Sequence, residues 1–500
     1  MKKISIDKLI YLLPITWIIY LIYRLINISS IAVKFPLDYD NDLSSYIAYI
    51  FFLLKCGWNN LCNYWYNGFF PFYHYSPAYF ILTFPIYYLT KNILLSVFIS
   101  MILLFLIAFI LSLIIGKNEN LSFNKKILFF SLVFANPFAI SSYIKSGRLP
   151  EFLGLISILL IFIIFLNYFN KKLDKKFFIV FIPSYLLLIL SHQQMTLLGH
   201  LLILGFLIIK NNKDRIKVIF ASIIGLILSS FWLINYIKYN LLEGNLNTLK
   251  PIALQFLIFT KESLLRNISI TLVILFLLIS FIIYYRQEKN KKIIYFFSPI
   301  LILSLLVLFR IIPFIKFFNQ VAPNTYMIFL ILFASFFFVK INFKKLNNLI
   351  RLIIVLILII LPFTGIIVSH LETPYYREYT KTEMSSIELL NKINNNFIVL
   401  NGHFPTSYPP AYHSYAPIFL NLTTPQGFNP NSANINHLYT LQALNKAVSE
   451  ENCQDLEINA NKLKLNYMLA YDNACEFLNK CNISLIDKKE NVCLFKSKTV

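Results

Sequence analysis

Three carboxylates stand at alternate positions, Asp38, Asp40 and Asp42, directly after the first long apolar segment of the chain. On an extended backbone, side chains two residues apart lie on the same face. Three carboxylates on one face could bind a divalent cation such as Mg²⁺ or Mn²⁺, or one of them could act as a general base. The alternative is structural, with Asp42 capping a helix that begins at Leu43.

A second polar group, Lys145, Arg148 and Glu151, joins two apolar segments on what we take to be the outer side. Basic residues in a short outer loop oppose the usual orientation of membrane proteins, which makes Lys145 and Arg148 candidates for binding an anionic substrate. Glu151 falls in the first turn of the next predicted helix, where a carboxylate is favoured. The alternative is an Arg148–Glu151 ion pair with a structural role only.

Two further polar groups interrupt the apolar pattern. His192 and Gln193 break the apolar stretch 177–209, and polar groups at membrane depth are candidates for function. Arg310 follows a later stretch and could bind phosphate. We predict all three as substrate-binding residues. The alternatives are a neutral His192 satisfied by a neighbouring helix and an Arg310 that anchors its helix at the membrane interface.

The chain that positions these residues has 500 residues, of which 58% are hydrophobic and only 14% charged, and this excludes a soluble enzyme. Several apolar stretches, for example 93–115 and 352–369, reach at least 18 residues without a charge, enough to cross a hydrocarbon core of about 30 Å. Of the 45 Lys and Arg residues, 34 precede His370, in short runs typical of cytoplasmic loops. The sequence predicts a polytopic α-helical membrane protein, and the net charge of +22 does not indicate nucleic-acid binding.

These basic runs predict a protein of the cell membrane with a cytoplasmic N-terminus. We predict a membrane domain over 1–369, with a large first outer loop 34–92, and a small extracytoplasmic domain over 370–500. The helix and strand patterns of the second domain indicate an α/β unit. About eleven spans are predicted, at 9–33, 93–115, 127–144, 152–169, 177–190, 195–209, 218–237, 268–285, 293–309, 325–339 and 352–369. Within the first outer loop, 43–55 and 69–90 are short or broken by proline, which favours helices along the membrane surface. The aromatic residues of that loop, including Trp65, Tyr66 and Phe72, would lie at headgroup depth.

All six cysteines fall in the predicted outer segments, where disulfides persist. Cys56 and Cys62 could close a small loop. The other four, Cys453, Cys475, Cys481 and Cys493, allow three pairings between which the sequence does not decide. The alternative is a set of free thiols.

These features together resemble the GT-C superfamily of membrane glycosyltransferases, and within it the branch of bacterial and archaeal membrane proteins known as "6-pyruvoyl-tetrahydropterin synthase-related". The resemblance covers about residues 1–240. It lies in Asp38–Asp42, the aromatic stretch Trp65–Pro77, Gly147–Glu151 and His192–Gln194. The chain departs from the branch at Tyr46, where a histidine is expected.

The resemblance implies a donor similar to a polyprenyl phosphate sugar. It implies Asp40 or Asp42 as the catalytic base or as metal ligands, with Asp38 binding substrate beside them. Glu151 matches the second catalytic acidic residue, and Arg148 would stabilise the lipid phosphate as it leaves.

We therefore expect a glycosyltransferase that passes a sugar from polyprenyl phosphate to a glycan, lipid or protein acceptor at the outer face of the membrane. The cofactor that we expect such an enzyme could use is a divalent cation. The alternatives are a transporter or flippase of lipid-linked glycans, which needs polar residues deep in several spans, and a non-catalytic scaffold that presents the outer domain.

Overall fold

The computed structural model describes residues 6–37, 42–239, 252–257, 261–354, 356, 378–400, 411–428 and 433–497. Two of the predicted site residues, Asp38 and Asp40, lie outside the described residues. So does almost all of the predicted span 352–369.

The part of the chain before residue 357 is helical. Its α-helices are α1 (Ile6–Ile28), α2 (Leu43–Cys56), α3 (Pro71–His74), α4 (Ala78–Thr90), α5 (Ile93–Asn118), α6 (Phe123–Phe134), α7 (Pro137–Ile140), α8 (Leu149–Asn167), α9 (Lys175–Ser191), α10 (Gln193–Ile209), α11 (Asn212–Leu228), α12 (Ser230–Ile237), α13 (Lys261–Glu288), α14 (Lys291–Leu308) and α15 (Pro323–Lys340). Short 3₁₀ helices at Ser29–Ala32, Ile252–Leu257, Ile312–Phe314 and Phe343–Lys345 and a π-helical turn at Ser141–Lys145 complete it. Among the helices long and apolar enough to span a membrane, α8 and α15 are the most enclosed, each with 89% of an 18-residue stretch buried, and other helices pack around them.

The described residues contain six straight helices long and apolar enough to span a membrane, or eight when two bent pairs are counted. The protein is a multi-pass membrane protein. Helices α9 and α10 lie where spans were predicted, but each has 17 residues. At about 1.5 Å per residue, each is slightly short of a core of about 30 Å. The count of eleven spans therefore stays a prediction.

Two of the predicted spans, 127–144 and 218–237, are each formed by a bent pair of helices. Helices α6 and α7 meet at 47°, and α11 and α12 meet at 77°. The first bend has a local cause, because the Asn136 side chain accepts hydrogen bonds from Phe138 N and Ala139 N at 3.0 Å and starts a new helix at Pro137.

Helix α2 does not lie exposed along the membrane surface. All its residues from Leu43 to Phe52 are buried, and helix Ala411–Leu420 of the C-terminal domain packs against it. Trp65 is buried as well, with its ring centroid 4.8 Å from that of Phe52. The large apolar area of these rings is covered by protein. Their predicted placement at headgroup depth stays a prediction.

The C-terminal domain, described over 378–400, 411–428 and 433–497, is a small α/β unit. Its helices are Lys381–Leu390, Ala411–Leu420, Ile435–Ser449, Cys453–Lys462 and Asn473–Lys480, and its strands are β1 (Phe397–Leu400), β2 (Tyr467–Tyr471), β3 (Ser484–Lys489) and β4 (Val492–Lys496). The sheet order is β1-β2-β4-β3, with β1 and β2 parallel and the other pairs antiparallel. The predicted α/β class is confirmed.

Disulfides join all six cysteines in the pairs Cys56–Cys62, Cys453–Cys481 and Cys475–Cys493. The prediction that the last four pair within the C-terminal domain is confirmed. The structure also selects one of the three pairings that the sequence left open.

Candidate active site

Asp42, Arg148 and Glu151 form one charged cluster. Nε of Arg148 donates a hydrogen bond to Oδ2 of Asp42 at 3.2 Å, and Nη1 of Arg148 lies 3.8 Å from Oε2 of Glu151. Burial alone would lower the pKa of Arg148, but the carboxylates of Asp42 and Glu151 raise it above its usual value. The guanidinium therefore stays charged between two acidic groups.

The loop before α8 brings the cluster together. Asp42 N donates to Ser146 O at 2.9 Å, which joins this loop to the start of α2. Gly147 has φ +66°, and a Cβ there would lie 2.5 Å from the Cβ of Leu43. Glycine is therefore required for this close approach. Pro150 occupies the first turn of α8 and Glu151 follows it in the same turn.

The side chain of Asp42 makes no capping hydrogen bond at the start of α2. Its carboxylate accepts from Arg148 instead. The interpretation of Asp42 as a helix cap is therefore wrong, whereas the proposed Arg148–Glu151 ion pair is present and shares its guanidinium with Asp42.

The cluster faces a cavity of about 450 Å³. The cavity is lined by Asp42, Tyr46, Tyr49, Tyr75, Arg148, Glu151, His192, Gln193, Gln194, Ile252, Gln255, Arg266, Ala322, Pro323, Asn324 and Phe428. Four helices, α2, α8, α10 and α15, begin at its wall. The N-terminal end of a helix carries partial positive charge, so these four ends favour an anionic ligand.

Two of the predicted site residues in the cavity wall each have a buried polar atom without a hydrogen-bond partner within the described chain. These atoms are Oε1 of Glu151, whose residue is 2% exposed, and Nδ1 of His192. His192 packs on α8 at Gly154, three residues after Glu151, where a Cβ would lie 3.2 Å from the Cβ of His192. Buried polar atoms are usually bonded, so a hydroxyl of a ligand in the cavity is a candidate partner for these two atoms.

Gln194 holds the two sides of the cavity together. Its Nε2 donates to Gln320 O at 2.9 Å, and its Oε1 accepts from Ala322 N and Thr325 Oγ1, both at 3.1 Å. These bonds join the start of α10 to the start of α15. The bonded amide therefore fixes the wall on which Asn324 lies.

Comparison with known proteins identifies the fold. No protein-family model matches the sequence, and no curated protein matches it. Among solved structures, the arabinofuranosyltransferase AftD from Mycobacteria is similar, with a TM-score of 0.57 and 11% identity over 96% of this chain and 40% of that one. The Archaeoglobus fulgidus oligosaccharyltransferase in its apo form gives a TM-score of 0.56 and 11% identity over 94% of this chain and 70% of that one. This chain has the GT-C fold.

The likeness concerns the fold, and the chain spans about 40% of the length of the arabinofuranosyltransferase. The predicted GT-C architecture is confirmed at the level of the fold. The narrower branch proposed from the sequence stays a prediction.

Within this GT-C fold, five of the predicted site residues meet at the cavity, namely Asp42, Arg148, Glu151, His192 and Gln193. Lys145 ends the π-helical turn and is not part of the lining. Arg310 is not part of it either, because its Nη2 donates to Asn267 O at 3.3 Å and its guanidinium lies 5.5 Å from the Phe256 ring. The lining of this cavity therefore gives no support to the predicted substrate-binding roles of Lys145 and Arg310.

Sequence reasoning missed several residues of the lining. Arg266 donates from Nη1 to Gln255 Oε1 at 3.1 Å, on the wall formed by α13 and the preceding 3₁₀ helix. Tyr46 and Tyr75 share a hydrogen bond between their hydroxyls at 2.8 Å. Arg266 stands at the outer end of a predicted span, and the reasoning that singled out Arg310 could have found it. In the sequence, Tyr46 stood out only as a departure from the resembled branch, and Tyr75 only as part of the aromatic stretch Trp65–Pro77.

The protonation of His192 leads to a prediction about stability. Burial and the positive charge of Arg148 lower the pKa of His192 to about 3. In the unfolded chain the pKa is about 6.5, so below that pH the unfolded state binds a proton that the folded state does not, and stability falls as the pH falls toward 3. We expect the melting temperature to drop more between pH 7 and pH 5 in the parent protein than in His192→Gln. An equal drop in both would contradict a neutral, buried His192.

Proposed function

We propose that this protein is a glycosyltransferase that transfers a sugar from polyprenyl phosphate to a glycan, lipid or protein acceptor at the outer face of the cell membrane. The observation that carries the proposal is the Asp42–Arg148–Glu151 cluster in the wall of a cavity where four helices begin. The GT-C fold supports it, since both structural neighbours are glycosyltransferases.

The proposed orientation puts the N-terminus in the cytoplasm and the cavity and C-terminal domain outside. The three disulfides support it, because disulfides persist on the oxidising side of a membrane. A donor whose lipid chain stays in the bilayer suits a cavity at the ends of apolar helices.

In the proposed reaction, a carboxylate takes the proton of an acceptor hydroxyl as its oxygen attacks the anomeric carbon, and the bond from that carbon to the phosphate oxygen breaks. Asp42 is our candidate for this base, with Asp40, outside the described residues, as the other. Arg148 binds Oδ2 of Asp42 and so fixes the direction of the carboxylate. Glu151 lines the same cavity and is the second acidic candidate.

The leaving phosphate needs a cation, and the cavity offers two. Arg148 shares its charge with two carboxylates, whereas the hydrogen-bond acceptor of Arg266 is the neutral Gln255. Arg266 is therefore better suited to hold the negative donor phosphate. We propose that Arg266 binds the donor phosphate and that Arg148 stabilises the charge that develops as the phosphate leaves.

We also propose a divalent cation held by Asp40 and Asp42, although the described residues are poorly suited to bind one. Among them there is no group of three His, Cys, Asp or Glu side chains that could hold a metal ion. The one described carboxylate of the pair, Asp42, is bonded to Arg148. The steps proposed here therefore use protein side chains only.

Transfer from lipid-linked sugars tests the function. Purified protein in lipid vesicles would receive polyprenyl phosphate carrying mannose, glucose or arabinose, together with a mixture of membrane glycans and peptides as acceptors. We expect release of polyprenyl phosphate and a new glycosylated product, followed by mass spectrometry. Movement of the donor across the vesicle membrane without release would instead support the transporter alternative.

A further inference from the structure

The C-terminal domain contributes a residue to the cavity. Among the described residues of that domain, Phe428 alone lines it, and the other lining residues belong to the membrane half. The position of Phe428 therefore depends on how the C-terminal domain is held against the rest of the chain.

The segment before Phe428 is fixed on one side by the sheet of its own domain. Val399 N, in β1, donates to Gln426 Oε1 at 2.9 Å, and Gln426 Nε2 donates to Val399 O at 3.1 Å. On the other side, Thr424 N donates to Tyr64 O at 3.0 Å. The segment thus connects the sheet to the loop that follows α2.

Tyr66 contacts Gly427, the residue directly before Phe428. The ring of Tyr66 packs on Gly427, where a Cβ would lie 2.5 Å from Cζ of Tyr66. Tyr66 and Asn67 have φ values of +56° and +57°, a conformation that costs free energy in residues other than glycine. The strained turn is held in place because Asn67 Nδ2 donates to Leu463 O at 2.8 Å.

The base of this turn is closed as well. Cys62 and Phe69 exchange backbone hydrogen bonds, Cys62 N to Phe69 O at 2.8 Å and Phe69 N to Cys62 O at 3.0 Å. Cys62 is also tied to the end of α2 by its disulfide with Cys56. The turn is therefore anchored to the helix that presents Asp42 and Tyr46 to the cavity.

We propose that Phe428 is a specificity-determining residue that contacts the acceptor, and that Tyr66 is a positioning residue that sets Phe428 through Gly427. This rests on the proposed function. The polyprenyl chain of the donor must stay in the bilayer, so the donor reaches the cavity from the membrane helices. The acceptor does not carry this lipid chain, so we place it against the part of the cavity that the C-terminal domain supplies, which is Phe428.

Chemical labelling of a thiol at position 428 tests the positioning without any assay of activity. All six native cysteines are in disulfides, so Phe428→Cys provides a single reactive thiol under non-reducing conditions. We expect slow reaction with a maleimide in the parent background and reaction at least about tenfold faster with Tyr66→Ala, because local opening exposes the segment. Rates within about twofold of each other would overturn the positioning role.

Two further substitutions distinguish loss of the contact between Tyr66 and Gly427 from a general loosening of the C-terminal domain. The hydroxyl of Tyr66 is buried without a partner in the described chain, so Tyr66→Phe should keep the ring contact and the slow rate. Tyr64→Phe removes the hydrogen bond to Asn421 Oδ1 at the same interface but leaves Gly427 covered. If Tyr64→Phe accelerated labelling as much as Tyr66→Ala, the specific role of Tyr66 would be refuted.

Kinetics test the acceptor contact. In the transfer assay above, Phe428→Ala and Tyr66→Ala should each raise the KM for the acceptor about tenfold with the donor KM unchanged, and Tyr66→Phe should restore the parental value. A change in the donor KM instead would refute the acceptor assignment. If the parent protein transfers no sugar, the proposed function and the acceptor contact both fail, whereas the labelling result still decides the positioning.

Discussion

Asp42→Asn is expected to lower the rate of sugar transfer by about 100-fold or more. The substitution keeps the shape of the side chain and can still accept a hydrogen bond from Arg148, but it cannot take a proton from the acceptor. Because the Asp42 side chain makes no capping bond to α2, loss of a helix cap cannot explain such a defect. The measurement is initial rates of transfer by purified protein in lipid.

A carboxylate outside the cavity provides the matched control. Asp487 accepts a hydrogen bond from Lys392 in the C-terminal domain at 2.5 Å, as Asp42 does from Arg148. Asp487→Asn should keep the parental transfer rate. If Asp42→Asn transfers sugar at the parental rate too, then Asp42 is structural, and Asp40→Asn decides whether any carboxylate of the first loop is the base.

Substitutions of Arg148 and Arg266 should impair different kinetic constants of sugar transfer. Arg148→Lys keeps a charge but cannot bind two carboxylates with a fork of N–H groups, so we expect kcat to fall about 100-fold or more with little change in the donor KM. Arg266→Ala removes a charged hydrogen bond to the bound donor, so we expect the donor KM to rise about 10- to 100-fold. Steady-state kinetics with varied donor separates the two results.

Arg310→Ala is the control for these variants, because Arg310 is a basic residue of the same region that does not line the cavity. It should leave both kcat and the donor KM unchanged. Arg148→Ala is less informative, since it leaves Asp42 and Glu151 without their shared cation and could cost about 3–5 kcal/mol of stability. Equal effects of Arg266→Ala and Arg310→Ala on the donor KM would contradict the proposed phosphate site.

The sequence predicted the helical framework and the disulfide-bonded domain because these depend on local patterns. A charge-free apolar run predicts a helix wherever it occurs, and strands β1, β2 and β4 of the C-terminal domain lie in apolar runs with β-branched or aromatic residues. The bend between α6 and α7 was missed although Asn136 and Pro137 mark it, because hydropathy over the whole run hid the capping signal.

The site was harder to predict, because its residues are far apart in the chain. Asp42 and Arg148 were each identified from their types and neighbours, but their bond depends on tertiary packing around Gly147. Arg310 follows an apolar run and Arg266 precedes one, so the two looked alike in the sequence. Only Arg266 lines the cavity in the folded protein. The contribution of Phe428 could not be predicted at all without the docking of the C-terminal domain.

The most direct test of the central claim is the location of a polyprenyl phosphate on the protein, determined by electron cryo-microscopy in lipid nanodiscs that contain it. The claim predicts density for the phosphate inside the cavity, within hydrogen-bond distance of Arg266 or Arg148, and density for the lipid chain leading into the bilayer. The same lipid bound reproducibly at another surface, with the cavity free of phosphate density, would contradict the claim.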